Sequence, residues 1–186
     1  MLNIRAFFLN NLGSWALLIG DYRTAIQRFE SLRRIGERRY GANHIKMAPI
    51  IYKLAYSYHH SGGADNFRFA FILYARALVI AEGATVSLNH ELVGSIAEAM
   101  GDWYAQTANY TMAETFYEKC IQNLEAIHGT ASTRLLTPIY SRAQSLRQLC
   151  RIEEAQALEQ WAAWIEEAEA RTRMNEHRYF RQYPHY

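Results

Sequence analysis

Two cysteines in 186 residues are too few to staple a small secreted domain. Three prolines and ten glycines exclude a collagen-like chain and a Pro/Gly-rich disordered one. No run of about eighteen apolar residues occurs, so no membrane-spanning helix is expected. Motifs of catalysis are missing as well. There is no phosphate-cradling G-x-x-x-x-G-K, no G-x-S-x-G and no H-E-x-x-H. His59 and His60 are adjacent, and neighbours on a helix point about 100° apart, which makes a poor metal pair. The acidic residues are scattered along helical patterns without a convergent pair and read as solvated faces. The chain is therefore expected not to be an enzyme and to hold no cofactor and no metal. His44, His90 and His128 fall in linkers and are expected to bond linker backbone.

What is present is helix-forming sequence. Half of the chain is apolar, enough for one domain with a real core. Stretches rich in Ala, Leu, Glu, Arg and Gln dominate. The first twenty residues carry one early Arg and a moderately apolar stretch, broken by Asn10, Asn11 and Ser14. No small-x-small cleavage site follows Gly20, so an ordinary packed helix is expected there, with an organelle presequence left open. Cys120 and Cys150 lie in helical patterns among small or apolar neighbours. They are expected as two buried free thiols in a reducing compartment, the cytoplasm or alternatively an organelle matrix, with a disulfide between them as the other reading.

The net charge of +2 hides blocks of opposite sign. Residues 1–60 carry nine Lys/Arg against three Asp/Glu, residues 61–133 three against eight, and residues 134–186 eight against seven. A basic end beside an acidic middle favours contacts with another protein or another copy. It is weaker support for nucleic acid, because the usual motifs do not accompany the basic residues.

The strongest signal is an internal repeat. Leu12–Leu32, Leu54–Leu78 and Met100–Ile121 align, and Arg142–Ala163 is a weaker fourth copy. Each of the first three opens on a large residue and a small one: Leu12-Gly13, Leu54-Ala55, Met100-Gly101. A second helix then begins at Tyr22, Phe67, Tyr110 and Ile152. Three residues later stands an alanine (Ala25, Ala70, Ala113, Ala155), and four after that an aromatic (Phe29, Tyr74, Tyr117), replaced in the last copy by Glu159 with Trp161 nearby. Antiparallel helices approach closely only where small residues occupy the crossing, and one hairpin cannot bury its apolar face alone, so hairpins stack.

This order of residues resembles the tetratricopeptide repeat family. The second-helix alanines are 45, 43 and 42 residues apart, against about 34 for the ordinary repeat. The longer period, the linker YGANHIKMA from Tyr40 to Ala48, its weaker echo SLNHELVGS from Ser87 to Ser95, and Asn10-Asn11-Leu12-Gly13 are similar to the kinesin light chain type. The resemblance implies an all-α fold: a right-handed superhelical array of about four antiparallel helical hairpins. The hairpins are expected at residues 2–40, 46–83, 89–128 and 134–178, within a repeat domain of residues 1–170, followed by a basic-aromatic tail at 171–186. Helices are expected over 2–18, 22–40, 46–61, 66–83, 89–107, 110–128, 134–149 and 152–178, with a longer mobile turn at residues 61–65. The last helix, striped by Ala155, Leu158, Ala162, Ile165 and Ala168, reads as the cap.

In such arrays the first helix of each hairpin lines the concave face. With the small residue as a ruler, the groove residues are Asn10, Asn11 and Ser14 in the first copy, and Tyr52, Lys53, Tyr56, His59 and His60 in the second. They are Glu98, Asp102 and Gln106 in the third, and Tyr140, Gln144 and Arg147 in the fourth. A polar and aromatic set suits an extended peptide, and by the resemblance Asn11 is the backbone clamp. A solvated groove that binds nothing is the alternative. The function expected is a protein-interaction scaffold for a peptide or partner protein, or a subunit of a larger assembly or homo-oligomer. The runner-up is an RNA- or anionic-surface-binding module using Arg23, Arg28, Arg33, Arg34, Arg38, Arg39 and the tail. The first hairpin has no cap and is expected to expose Leu2, Phe7 and Phe8, which a partner, a second copy or further repeats would cover.

Overall fold

The computed structural model describes the backbone of residues 2–83 and 89–182 and the side chains of residues 4–83 and 89–175. Among the described residues eight α-helices follow one another: α1 Leu2–Leu18, α2 Tyr22–Tyr40, α3 Ala48–His60, α4 Ala64–Glu82, α5 His90–Gln106, α6 Tyr110–His128, α7 Leu136–Gln148 and α8 Ile152–Gln182. Single 3-10 turns at Ile45–Met47 and Thr133–Leu135 lead into α3 and α7. Consecutive helices pair as four hairpins, and each hairpin packs on the next through its second helix. The result is an all-α solenoid.

The helix starts follow from local chemistry. Asp21 accepts from the Thr24 amide at 3.0 Å, Asn89 from Leu92 at 3.2 Å and Asn109 from Met112 at 3.3 Å. Each cap satisfies an amide that has no partner within its helix. The first and third linkers are built alike. A glycine with positive φ, Gly41 or Gly129, stops the helix. A side chain, His44 Nδ1 or Ser132 Oγ, then accepts an amide of the 3-10 turn that follows. The third linker, expected between residues 128 and 134, repeats the first as HGTASTRLL with Ser132 where the first has His44. Most of the SLNHELVGS echo is described, but Ser87 and Leu88 lie outside the described residues.

The small-residue ruler marks the places where paired helices touch. Ala25, Ala55, Ala70, Ala113 and Ala155 are all fully buried. A Cβ added at Gly13 would stand 2.8 Å from the Phe29 ring, and one at Gly101 would stand 2.6 Å from the Tyr117 ring. Between hairpins the contacts are large and shaped. Trp103 stacks on Phe67 at 5.0 Å, meets Phe71 at 4.4 Å and donates its indole N–H to the Phe67 carbonyl at 3.0 Å. Arg142 of α7 holds Glu114 of α6 at 2.6 Å, with both side chains mostly covered. Trp161 donates to the Thr130 carbonyl at 3.1 Å, which ties α8 to the last linker.

Four expectations change. The turn after α3 is Ser61-Gly62-Gly63, because Ala64 and Asp65 already belong to α4. Asn66 Nδ2 binds the turn down through Ser61 Oγ and the Gly62 carbonyl, both at 3.0 Å. Cys120 is buried as expected, but Cys150 is exposed in the α7–α8 turn with φ of 60°. His90 and His128 do not bond linker backbone. His90 pairs with the Asn123 side chain at 2.9 Å and His128 with Glu91 at 2.8 Å. Finally, α8 runs on through Gln182, so the basic segment after residue 170 continues the helix. The side chains of Tyr179, Phe180, Tyr183 and Tyr186 lie outside the described residues, as does that of Leu2.

Ala113 has no room for a longer side chain. Ala113→Leu is expected to destabilise the chain by about 1–3 kcal/mol through overpacking and to lower the melting temperature by several degrees. Thermal unfolding followed by circular dichroism measures this, and an unchanged midpoint would remove the helix crossing from that position.

Candidate functional site

The first helices stand side by side on one face of the solenoid. Lys53 of α3 reaches α1, donating to Asn10 Oδ1 at 3.2 Å and Ser14 Oγ at 3.0 Å. His59 of α3 reaches α5 through Gln106 Oε1 at 3.3 Å. The face is therefore stitched by residues chosen in the sequence as ligand contacts. Lys53 is half-buried, with a pKa lowered by burial, and its ammonium is engaged within the protein.

His59 was expected in the groove and is instead a buried bridge. Its Nδ1 meets the Tyr74 hydroxyl at 3.4 Å while Nε2 meets Gln106. Burial lowers its pKa, which keeps it neutral. The reason is positional: one turn past Ala55, His59 turns back toward α4 instead of outward. His60 is exposed, stacked on Tyr56 at 4.0 Å and 5.5 Å from the Tyr22 ring.

The centre of the face holds what the sequence reading did not foresee, a pair of convergent carboxylates. Glu98 and Asp102 are one turn apart on α5, and each raises the electrostatic cost of ionising the groups around it. Burial, with Asp102 second, raises the Glu98 pKa. Burial, then Glu98 first among the neighbouring charges, pushes the Tyr52 hydroxyl well above its ordinary range. Burial followed by Tyr22, Asp102 and Glu98 raises that of Tyr56. Asp102 accepts from the Tyr117 hydroxyl at 2.8 Å. Neither carboxylate has an ion-pair partner among the described residues. The i, i+4 spacing was the available signal, visible once both were assigned to the same face.

The ends of the face differ. Asn11 is exposed and hydrogen-bonds to no described residue. Tyr140 is exposed but donates to Glu166 of α8 at 3.0 Å. Arg147 is exposed and held by Glu159 in a two-pronged pair at 2.9 and 2.7 Å. Gln144 lines a cleft of about 260 Å³ together with Gln106, Tyr117, Ser141 and Gln148. Thus Tyr52, Tyr56, His60, Glu98, Asp102 and Gln106 form a continuous patch, with Gln144 adjoining. Asn10, Ser14, Lys53, His59, Tyr140 and Arg147 are engaged with the protein's own residues, as are Gln106 through His59 and Asp102 through Tyr117. Among the described residues no group of three or more His, Cys, Asp or Glu is placed to hold a metal ion, and no described helix is long and apolar enough to cross a membrane.

No protein-family model matches the chain, and no curated protein matches its sequence. Among solved structures the chain is similar to the crystal structure of BtubC (BKLC) from P. vanneervenii, with a TM-score of 0.77 at 16% identity over 91% of this chain. That match takes in 66% of the other chain, so this chain spans just under two thirds of its length. At this identity the likeness establishes the fold, a helical-repeat solenoid, and nothing more.

Glu98 gives a pH test. A carboxyl whose pKa is raised in the folded state favours folding while it is protonated, and that contribution is lost as pH climbs through the raised value. At neutral pH the ionised Glu98 therefore costs stability. Glu98→Gln is expected to melt higher than the unaltered chain at pH 7. The difference should shrink as pH falls toward the ordinary glutamate value of 4.5. Melting curves of both proteins across that range decide it.

Proposed function

We propose that this chain is a protein-interaction scaffold, a solenoid of the tetratricopeptide type that takes an extended peptide along the face of its first helices. The observation that carries this reading is the central patch: two carboxylates without an ionic partner, flanked by the half-buried rings of Tyr52 and Tyr56. The cations nearest in sequence register are already engaged, Lys53 by Asn10 and Ser14, Arg147 by Glu159. A ligand must therefore bring its own positive charge. Tyrosines offer area at low entropic cost and cation–π contact, and the carboxylates supply charge-assisted hydrogen bonds. A peptide carrying Lys or Arg between small or polar residues fits. Asn11 and Gln144 have amides at the two ends of the face suited to pair with its backbone. No catalytic step and no cofactor belong to this reading. A reducing, cytoplasmic setting does, supported by two free cysteines, one of them exposed.

A second reading, binding of RNA or another polyanion, draws on α2. Arg23, Arg28, Arg34 and Arg38 are exposed and form no ion pair among the described residues, whereas Arg33 is held by Glu30 and Glu37. These arginines lie on the second helix of their hairpin, where Phe29 is buried and Tyr22 and Tyr40 stand only at the two ends, which offers little to stack bases on.

Selection of a displayed peptide library against the unaltered chain tests the leading reading. Enriched peptides should share a Lys or Arg. Their affinity should fall about tenfold or more when Glu98→Gln and Asp102→Asn are combined, as expected for loss of charge-assisted bonds, with the fold unchanged by circular dichroism. No enrichment, or equal binding by the double variant, would refute it. Steeply salt-dependent binding of single-stranded RNA, lost on Arg28→Ala with Arg34→Ala, would move the function to α2.

A further inference from the structure

The first hairpin is hollow where the third is filled. In the third, Gly101 lies under Tyr117. About two turns further along both helices, Gly94 faces Leu124, and a Cβ on Gly94 would stand 3.2 Å from the leucine's branch. In the first hairpin Gly13 lies under Phe29 with the same spacing, so the pair that corresponds to Gly94 and Leu124 is Ala6 and Gly36. A leucine is exchanged for a glycine, and the facing glycine gains only a methyl group. Met47 takes the space beside Gly36, where an added Cβ would stand 2.7 Å from its sulfur. What remains is a cavity of about 240 Å³. The second hairpin closes the same place with Ala48 and Ala81, both fully buried.

The cavity is apolar within and cationic at its exposed side. Ala6, Leu32, Ile35 and Ile50, from α1, α2 and α3, make the wall. Arg39 and Lys46 are the exposed lining residues, with Tyr40 between them. His44 stacks on Tyr40 at 5.3 Å. Both cations lie against the same ring, the Lys46 ammonium 4.7 Å and the Arg39 guanidinium 5.3 Å from its centre. Two like charges gathered at one opening repel each other. No acidic side chain lines the cavity among the described residues. An anion placed there relieves the repulsion, while an aliphatic tail behind it covers the wall that Leu124 covers in the third hairpin. The fourth hairpin differs in charge. At the same register Leu136 and Glu166 border a wider cleft of about 540 Å³, whose rim adds Glu169 and Arg173 and so carries no excess of cations.

We propose that this cavity binds a small aliphatic carboxylate, with its tail between α1 and α2 and its charge at Lys46, beside Arg39. At roughly 30 Å³ for each water-sized group, 240 Å³ holds about eight non-hydrogen atoms, the size of hexanoate. The site is separate from the carboxylate patch on α5 and does not depend on a peptide binding there.

Hexanoate titrated into the intact, nitrogen-15-labelled chain tests it by NMR. Amide shifts should saturate and should be largest along α1, α2 and the turn from His44 to Met47. A Kd of about a millimolar or below is within reach of so few atoms. Hexanol, the same tail without the charge, should bind at least about tenfold more weakly. Ala6→Leu restores inside the cavity the side chain that Leu124 supplies in the third hairpin. It should abolish binding and raise the melting temperature, as filling a void does. Lys46→Gln, at an exposed position, should weaken hexanoate at least about fivefold and leave the melting temperature unchanged, which keeps the test decisive even where Ala6→Leu fails to fold. No saturating shifts, shifts confined to other parts of the chain, or equal binding of hexanol would overturn the proposal. So would hexanoate binding that Lys46→Gln leaves unchanged, or that a folded Ala6→Leu chain retains.

Discussion

Everything in this solenoid depends on one contact, a second-helix aromatic laid over a first-helix residue with little or no side chain. Phe29 lies on Gly13 and Tyr117 on Gly101, so closely that a methyl group at either glycine would overlap the ring. The contact sets the distance between paired helices. That distance determines which first-helix residues turn inward, which face the preceding hairpin and which stay outside. Dispersion is what such a contact supplies, and it is lost quickly with separation.

The fourth hairpin keeps the spacing and changes the chemistry. Glu159 stands where the others have an aromatic, and it holds Arg147 from outside instead of filling the crossing. Arg147 lies on the first helix of the same hairpin, so an ion pair replaces the ring contact between the paired helices. Both end helices expose large apolar side chains among the described residues, Ile4, Phe7, Phe8, Leu12, Trp15 and Leu18 on α1 and Ile152, Trp164 and Met174 on α8.

Charge on the first-helix face is arranged by burial as much as by sequence. Lys53 is held across to α1 by Asn10 and Ser14. The acids are left beside Tyr52 and Tyr56 in a partly dry setting, where an unpaired carboxylate is costly and a cation is correspondingly welcome. On the function proposed above, carboxylates without an ionic partner are what would give the face a preference. An internal salt bridge would have neutralised it.

Much of this was legible from the chain. The recurrence of a small residue, an alanine and an aromatic at near-constant spacing determined four hairpins and most helix bounds, because those positions answer to a local steric demand that repeats. Capping residues and Gly41 marked the ends for the same local reason. The sequence could not show that Ala64 and Asp65 join α4, since Asn66 bonding back to Ser61 shortens the turn only once the hairpin is closed. Nor could it show that Cys150 sits in a left-handed turn, that His59 bridges α4 and α5 while His60 faces outward, or that Lys53 is hydrogen-bonded and Arg147 ion-paired while Glu98 and Asp102 have no ion-pair partner among the described residues. A spacing rule gives the direction of a side chain from its own helix. Which neighbour it meets, how dry that place is and whether its charge is matched come from other helices tens of residues away, and only their packing decides them.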